Sequence, residues 1–281
     1  MPCPPSDGAR ADIFSDENEV AAMLIEFLGL PGAGKSTLSH NVAHLLSERG
    51  YTVDEATYEV DHDLGTFQRI LVKLSGVASY VCRNPIHAAN DVARILAAQQ
   101  ETLADARRSI FNWLFINSIV SQAHAGKRIV ILDQGLAQAV WSVGLAARRQ
   151  AWLDLCLDTP HRKVPKPDLI VAVKAKTQTV CARLRSREKR ISRIDHLGSN
   201  LAILRRAHDH VDAIVQAYGS AAVSVLGVEN DTPKDLSLNA RRVVDAVVAL
   251  SEDKSEELQA QQTRYPLARW YKIAGARGWP S

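Results

Sequence analysis

The stretch MLIEFLGLPGAGKST, from Met23 to Thr37, decides how this chain folds. Its first six residues form a short apolar run that stops at a glycine, as a buried parallel strand does. The next eight, Gly29–Ser36, fit the pattern GxxxxGK[ST]. Lys35–Arg49 then carries apolar residues at helical spacing, and Gly50 follows as a stop signal. A strand, a glycine-rich loop and a helix in this order predict a P-loop, which wraps around phosphate groups.

Each part of this loop has a chemical purpose. The glycines let the backbone bend around an anion, and successive N–H groups then point at it. The start of the helix adds its positive end. We expect Lys35 to reach the β- and γ-phosphates and to act in catalysis, and Ser36 to ligate Mg²⁺. The sequence predicts ATP and Mg²⁺ as ligands and the following nucleotide-binding residues: Gly29, Pro31, Gly32, Ala33, Gly34, Lys35, Ser36 and Thr37.

Strands and helices alternate through most of the chain, which predicts an α/β fold with a parallel sheet covered by helices on both faces. The further predicted strands are Tyr51–Thr57, Arg128–Leu132, Asp168–Val173 and Ala221–Val228. The predicted helices after the P-loop helix include Leu136–Leu157, Thr177–Arg190, Asn200–Tyr218 and Thr232–Leu250. We expect a flexible leader over residues 1–22, one domain over 23–251 and a basic, aromatic tail over 252–281.

A helical insertion is predicted over residues 67–125, between the second and third strands. One face of its first helix carries Phe67, Ile70, Leu71, Leu74, Ala78 and Val81. The segment Ile110–Val120 is apolar nearly all round, which is typical of a buried helix, so we expect Trp113 to be a core residue.

Asp133 ends the predicted third strand, RIVILD. A carboxylate at the end of an apolar strand beside a P-loop strand is the expected second anchor for Mg²⁺, commonly through water. The sequence therefore predicts Ser36 and Asp133 as the metal residues.

Composition excludes several other classes. The net charge of +3 is too small to argue for nucleic acid by itself. Four widely spaced cysteines without a CxxC pair give little support to a zinc site and favour a reduced compartment. No apolar run approaches the roughly 20 residues that a membrane span needs. The N-terminus lacks the pattern of a signal peptide, so we expect a cytoplasmic protein with no membrane partner.

The P-loop GLPGAGKST, the tripeptide Asp133-Gln134-Gly135 and the basic segment Arg183–Asp195 together resemble the P-loop nucleoside and nucleotide kinases, with the thymidylate-kinase-like branch nearest. The resemblance covers residues 23–251. It implies a P-loop NTPase three-layer sandwich whose five-stranded parallel sheet has the order 2-3-1-4-5. In that family the third strand ends in DR or ER, and Gln134 replaces the arginine here. An anion contact could come instead from arginines of the insertion: Arg69, Arg83, Arg94, Arg107 or Arg108.

The resemblance also implies a lid, over residues 177–198. Its arginines, Arg187 and Arg193 among them, would clamp the phosphates and stabilise the transferring group. Arg183 would stack on adenine. Alternatives for the segment are an ordinary basic helix or a nucleic-acid patch. The family's base lies at the end of the second strand, where Glu55 and Glu59 are the best placed candidates and Asp54 is a third. We take Glu55 as the predicted catalytic base.

These observations predict an ATP-dependent phosphotransferase that acts on a small-molecule hydroxyl or phosphate: a nucleoside, nucleotide, sugar or specialised metabolite. One alternative is a regulatory P-loop NTPase, although the NKxD element of GTPases is absent from the sequence. Another is a nucleic-acid end kinase, motivated by the basic segment and tail, but a nucleic-acid partner is the less favoured expectation. The tail could instead cover the acceptor site or form a homodimer contact.

Overall fold

A computed structural model describes residues 22–62, 64–123, 128–149, 152–154, 166–186 and 201–264. The five described strands form a single parallel sheet: β1 (Met23–Leu28), β2 (Val53–Asp54), β3 (Ile129–Leu132), β4 (Leu169–Lys174) and β5 (Ser224–Glu229). Their order across the sheet is β2-β3-β1-β4-β5. The predicted fold class and strand order are therefore confirmed.

The described helices are α1 (Lys35–Glu48), α2 (Ala56–His62), α3 (Thr66–Arg83), α4 (Pro85–Ala97), α5 (Leu103–Ala123), α6 (Leu136–Leu145), α7 (Thr177–Arg185), α8 (Leu201–Ser220) and α9 (Pro233–Arg264). Helix α1 packs on α9, whereas α6 packs on β1, on α8 and on α5 of the insertion formed by α3, α4 and α5. In the part of the chain that the structure describes, no helix is long and apolar enough to cross a membrane.

The centre of the sheet is the core of the molecule. Every residue of β1 is buried, and β1 lies between β3 and β4, with Ile25 opposite both Ile131 and Leu169. Strands covered on both faces have no polar face to expose, which explains the continuous apolar runs in the sequence. The carboxyl ends of β1, β3 and β4 consequently meet at one edge of the sheet, where ligands of such folds bind.

The insertion is packed on one side and exposed on the other. Trp113 of α5 is fully buried, as predicted. The apolar residues that share one face of α3 are exposed instead, with Phe67 at 74% and Leu74 at 51% of their possible surface. Helix α3 packs on α5 through a different face, where Gly76 approaches Phe115 and Ser118. The periodicity identified a common face correctly, but that face does not lie in the core.

Three boundaries differ from the sequence prediction. The second strand is two residues long rather than seven, because it pairs with β3 at Val53 and Asp54 and α2 begins at Ala56. Helix α6 ends at Leu145 rather than Leu157, and the Trp152 ring packs so closely on Gly144 that a Cβ there would lie 2.7 Å from it.

The last helix, α9, continues through the predicted boundary after residue 251. Lys254 in this extension donates hydrogen bonds of 2.7 Å to the Asp168 carboxylate and to the Ala22 carbonyl. These contacts attach the extension to the start of β1 and to the residue before β4. Residues 252–264 therefore continue a helix of the domain, and residues 265–281 of the predicted tail lie outside the described residues.

Candidate active site

The P-loop connects β1 to α1 in the expected conformation. Gly32 and Gly34 have φ angles of 87° and 91°, in the left-handed region that only glycine adopts at little cost. Lys35 is buried, and its Nζ donates to the Gly29 carbonyl at 2.8 Å and to the Leu30 carbonyl at 3.1 Å. The ammonium group therefore lies inside the curve of the loop, where it would meet a bound phosphate.

Two neighbours hold the start of the loop. The Gly29 N–H donates to Oε1 of Gln138, a buried residue of α6, at 3.2 Å. A Cβ at Gly29 would lie 2.3 Å from the Val173 carbonyl oxygen of β4, so only glycine fits between the two strands. Gln138 was not predicted as a site residue, because nothing in the sequence places α6 beside the P-loop.

Ser36 and Asp133 are brought together, although 97 positions separate them. The Ser36 hydroxyl donates to Oδ2 of Asp133 at 2.7 Å. The Asp133 N–H donates to the hydroxyl of buried Thr57 at 3.1 Å, which fixes the end of β3. The other carboxylate oxygen, Oδ1, is buried and has no hydrogen-bond partner among the described residues. A hydroxyl and a carboxylate with a spare oxygen are ligands that Mg²⁺ accepts, so these residues fit the predicted metal.

Glu26 of β1 is a buried carboxylate opposite Leu132, the last residue of β3, and it was not predicted. Its Oε2 accepts a hydrogen bond of 2.9 Å from the Ala137 N–H at the start of α6, while Oε1 has no partner among the described residues. Burial raises the pKa of Glu26 to about 7, although hydrogen bonds from the Ala137 and Leu136 backbone lower it. A Cβ at Gly135 would lie 2.3 Å from the Glu26 Cδ. The glycine after Asp133-Gln134 thus makes room for the carboxylate that caps α6.

Arg183 of α7 lies against the outer side of the P-loop. Its guanidinium donates to the carbonyls of Gly32, Ala33 and Asn230 at 2.9–3.3 Å and to that of Asp231 at 3.1 Å. Asp231 in turn accepts hydrogen bonds of 2.8 Å from the Lys176 N–H and the Thr179 hydroxyl, which anchors the start of α7. The structure therefore brings the predicted adenine contact to the P-loop, but stacking on adenine stays a prediction.

A pocket of about 320 Å³ opens beside Arg183. Its lining consists of Gly32, Gly34, Thr37, Arg183, Asn230, Thr232, Pro233 and Leu236. Buried Asn230 donates from Nδ2 to the Ala33 carbonyl at 2.9 Å, so the loop after β5 is tied to the P-loop. The sequence indicated this loop by its position only. The pocket adjoins the P-loop, and its volume lies in the range of small-ligand pockets.

Glu55 lies between β2 and α2. Its Oε2 is 3.0 Å from Nδ1 of His40, and its Oε1 is buried without a partner among the described residues. Partial burial raises the pKa of Glu55, the His40 hydrogen bond lowers it, and the charges of Glu59 and Asp133 raise it further. Glu55 is tied through His40 to α1, the helix that also carries Ser36, whereas the alternative candidate Glu59 is exposed.

The other residues predicted for the site are Gln134, the arginines of the insertion and the arginines of the predicted lid. Gln134 is exposed at the end of β3. Arg69 and Arg94 of the insertion are half-buried, whereas Arg83, Arg107 and Arg108 are exposed, and their contact with an acceptor anion stays a prediction. Arg187 and Arg193 of the predicted lid lie outside the described residues.

The fold is similar to that of a solved nucleoside kinase, so the predicted resemblance is confirmed at the level of the fold. A deoxyadenosine kinase from M. mycoides is 13% identical with a TM-score of 0.50, and the match covers 81% of this chain and 100% of that chain. A thymidylate kinase from Ehrlichia chaffeensis is 16% identical with a TM-score of 0.43, over 80% of this chain and 98% of that one. No protein-family model matches the sequence, and no curated protein does.

Proposed function

We propose that this protein transfers the γ-phosphoryl group of ATP, bound with Mg²⁺, to a hydroxyl group of a small-molecule acceptor. The observation that carries the proposal is the position of Glu55, a partly buried carboxylate with an unpartnered oxygen, which lies 3.0 Å from His40 on the same helix whose Ser36 binds Asp133. A hydroxyl nucleophile must lose a proton during transfer, and a carboxylate of raised pKa suits that task. A phosphate acceptor already carries a nucleophilic oxyanion and needs no such base.

Gln134 does not choose between acceptors. The nucleoside and nucleotide kinases that this chain resembles both have an arginine at this position, so its replacement by glutamine fits a hydroxyl and a phosphate acceptor equally. The choice of a hydroxyl therefore rests on Glu55. Among hydroxyl acceptors, a nucleoside, a sugar and a specialised metabolite remain the candidates.

The chain's own residues would divide the work as follows. Lys35 would exchange its contacts with the Gly29 and Leu30 carbonyls for contacts with phosphate oxygens. Ser36 and Asp133 would hold Mg²⁺, which neutralises charge on the phosphates when it is bound. Arg183 and Asn230 would border the base of the donor nucleotide. Glu55 would accept the proton of the acceptor hydroxyl, so that catalysis would consist of positioning and charge stabilisation.

The first test is phosphoryl transfer from radiolabelled ATP to a panel of nucleosides, sugars and other alcohols, with nucleoside monophosphates in parallel. We expect products with the hydroxyl acceptors only. Transfer to monophosphates alone would contradict the choice of a hydroxyl. ATP hydrolysis with no acceptor, stimulated by a protein, would favour the regulatory NTPase. Phosphorylation of oligonucleotide ends would favour the nucleic-acid kinase.

Two pairs of variants test the assigned roles. Lys35→Ala should weaken ATP binding by about 10- to 100-fold, the worth of a hydrogen-bonded charge contact. Arg49→Ala removes a positive charge from the far end of the same helix, where it pairs with exposed Asp245, and should leave binding unchanged.

Glu55→Gln should lower kcat by about 10²- to 10⁴-fold, the usual contribution of a general base. Glu59→Gln, one turn further along α2, is its matched control. Equal activity of Glu55→Gln and Glu59→Gln would refute the assignment of the base.

A further inference from the structure

His40 connects the helix of the P-loop to the proposed base. Its Nδ1 lies 3.0 Å from Oε2 of Glu55, and the Glu55 side chain is 16% exposed. The His40 ring stacks on Tyr58 of α2, with ring centroids 4.5 Å apart and planes inclined by 8°. A ring that is stacked and hydrogen-bonded at the same time has little freedom to rotate, so the direction of its Nδ1–H is fixed.

The contact between His40 and Glu55 lies on the same face of α1 as the contact between Ser36 and Asp133. Ser36 and His40 are four residues apart and therefore lie on the same face of the helix. Ser36 holds the carboxylate of Asp133 at 2.7 Å, and His40 holds that of Glu55 at 3.0 Å. One rigid helix, which begins in the P-loop, thus sets the position of the metal-binding carboxylate and of the proposed base relative to each other.

Glu55 lies in surroundings that disfavour its ionised form. Partial burial raises the pKa of Glu55, the His40 hydrogen bond lowers it, and the negative charges of Glu59 and Asp133 raise it. Among the described residues, Nδ1 of His40 is the hydrogen-bond partner of Oε2 and donates to it when Glu55 is ionised, while Oε1 has no partner. The histidine therefore pairs with one carboxylate oxygen, and the other oxygen is buried and has no partner among the described residues.

We propose that His40 is a positioning residue for the general base, which orients Glu55 so that Oε1 faces the acceptor hydroxyl. The inference rests on the proposed function. In the reaction, Oε1 accepts the proton of the acceptor hydroxyl while the acceptor oxygen forms a bond to the γ-phosphorus. The bond from that phosphorus to the β,γ-bridging oxygen breaks, ADP leaves, and Glu55 later releases the proton to water.

Three substitutions separate this role from a structural one. His40→Phe keeps a ring to stack on Tyr58 but has no donor. His40→Asn carries an amide N–H at the position of Nδ1 and can donate to Oε2. His44→Phe is the matched control on the next turn of α1, because the exposed His44 Nδ1 lies 3.5 Å from exposed Glu48 and away from the site.

Steady-state kinetics of these variants provides the test. We expect His40→Phe to lower kcat by about 10- to 100-fold, part of the general-base effect, with less than about a twofold change in KM for ATP. His40→Asn should recover most of this loss, and His44→Phe should behave like the wild type. In the Glu55→Gln background, His40→Phe should cause no further loss, because both changes disable the same group.

The possible results separate a failure of the positioning role of His40 from a failure of the proposed phosphotransferase function. A wild-type enzyme that transfers phosphate, with a His40→Phe variant of equal kcat, would overturn the inference and leave the proposed function intact. Equal losses in His40→Phe and His40→Asn, accompanied by lower melting temperatures, would assign the contact a structural role and also overturn it. If wild-type protein phosphorylated none of the acceptors, the proposed function would fail and the inference with it.

Discussion

Replacement of Glu26 by glutamine should remove much of the pH dependence of this protein's stability. Glu26 is fully buried on β1, and its raised pKa is due mainly to that burial. Glutamine has nearly the same shape, and its Oε1 can accept the same hydrogen bond from the Ala137 N–H. The substitution therefore removes the ionisation and little else.

The magnitude follows from the pKa of about 7 in the folded protein and 4.5 in the unfolded chain, a difference that corresponds to about 3 kcal/mol. Below pH 4.5 the carboxyl group is protonated in both states and costs nothing. Between pH 4.5 and 7 the unfolded chain releases its proton first, so the free energy of unfolding falls as pH rises. Above pH 7 the full penalty is present, since the folded protein must also ionise the buried group.

Denaturant unfolding of the wild type and Glu26→Gln at a series of pH values from 4.5 to 8.5 measures the difference. The intrinsic tryptophans, Trp113 and Trp141 among them, report unfolding, and a chelator keeps metal away from Asp133. Other titrating groups act equally on both proteins, so they cancel in the comparison. We expect the variant to gain about 3 kcal/mol on the wild type between the two ends of this range. Glu48→Gln, at an exposed position, is the control and should follow the wild type. Parallel curves for Glu26→Gln and wild type would refute the reasoning.

Two further predictions concern residues that hold the site together. Gly135→Ala should destabilise the protein by about 1–3 kcal/mol, because the new Cβ would overlap the Glu26 carboxyl group. This loss of stability should be smaller when Glu26 is also replaced by alanine. Thermal unfolding of the single and double variants measures both effects. Asn230→Ala should weaken ATP binding by roughly fivefold, since the P-loop loses one hydrogen bond to the loop after β5. Calorimetric titration measures this loss, and unchanged affinity would show that the bond does not shape the donor site.

Local sequence was sufficient where local contacts decide the structure. The P-loop could be located because the bends at Gly32 and Gly34 require glycine and because a strand and a helix must flank it. The all-apolar strands were recognisable because both of their faces are buried. Strand lengths were less predictable: β2 pairs at only two residues, a limit set by the neighbouring strand and by the start of α2 at Ala56.

Periodicity did not decide which face of α3 is buried. The pattern from Phe67 to Val81 marks a shared face of α3 and carries no information on what covers that face. The structure packs α3 on α5 through another side and leaves Phe67 and Leu74 exposed. A helical pattern defines relative directions of side chains, whereas the choice of the buried face depends on the neighbouring helices.

What the sequence determined by itself is the phosphate loop, the alternation of strands and helices, and the polar residues at the strand ends, Glu55 and Asp133 among them. The tertiary structure decided which of these groups meet. Ser36 reaches Asp133 across 97 positions, Gly29 reaches Gln138 across 109, and Glu26 reaches Ala137 across 111. Such contacts arise because parallel strands bring distant segments to the same edge of the sheet, and the strand order that does so depends on the packing of the whole domain rather than on any local pattern.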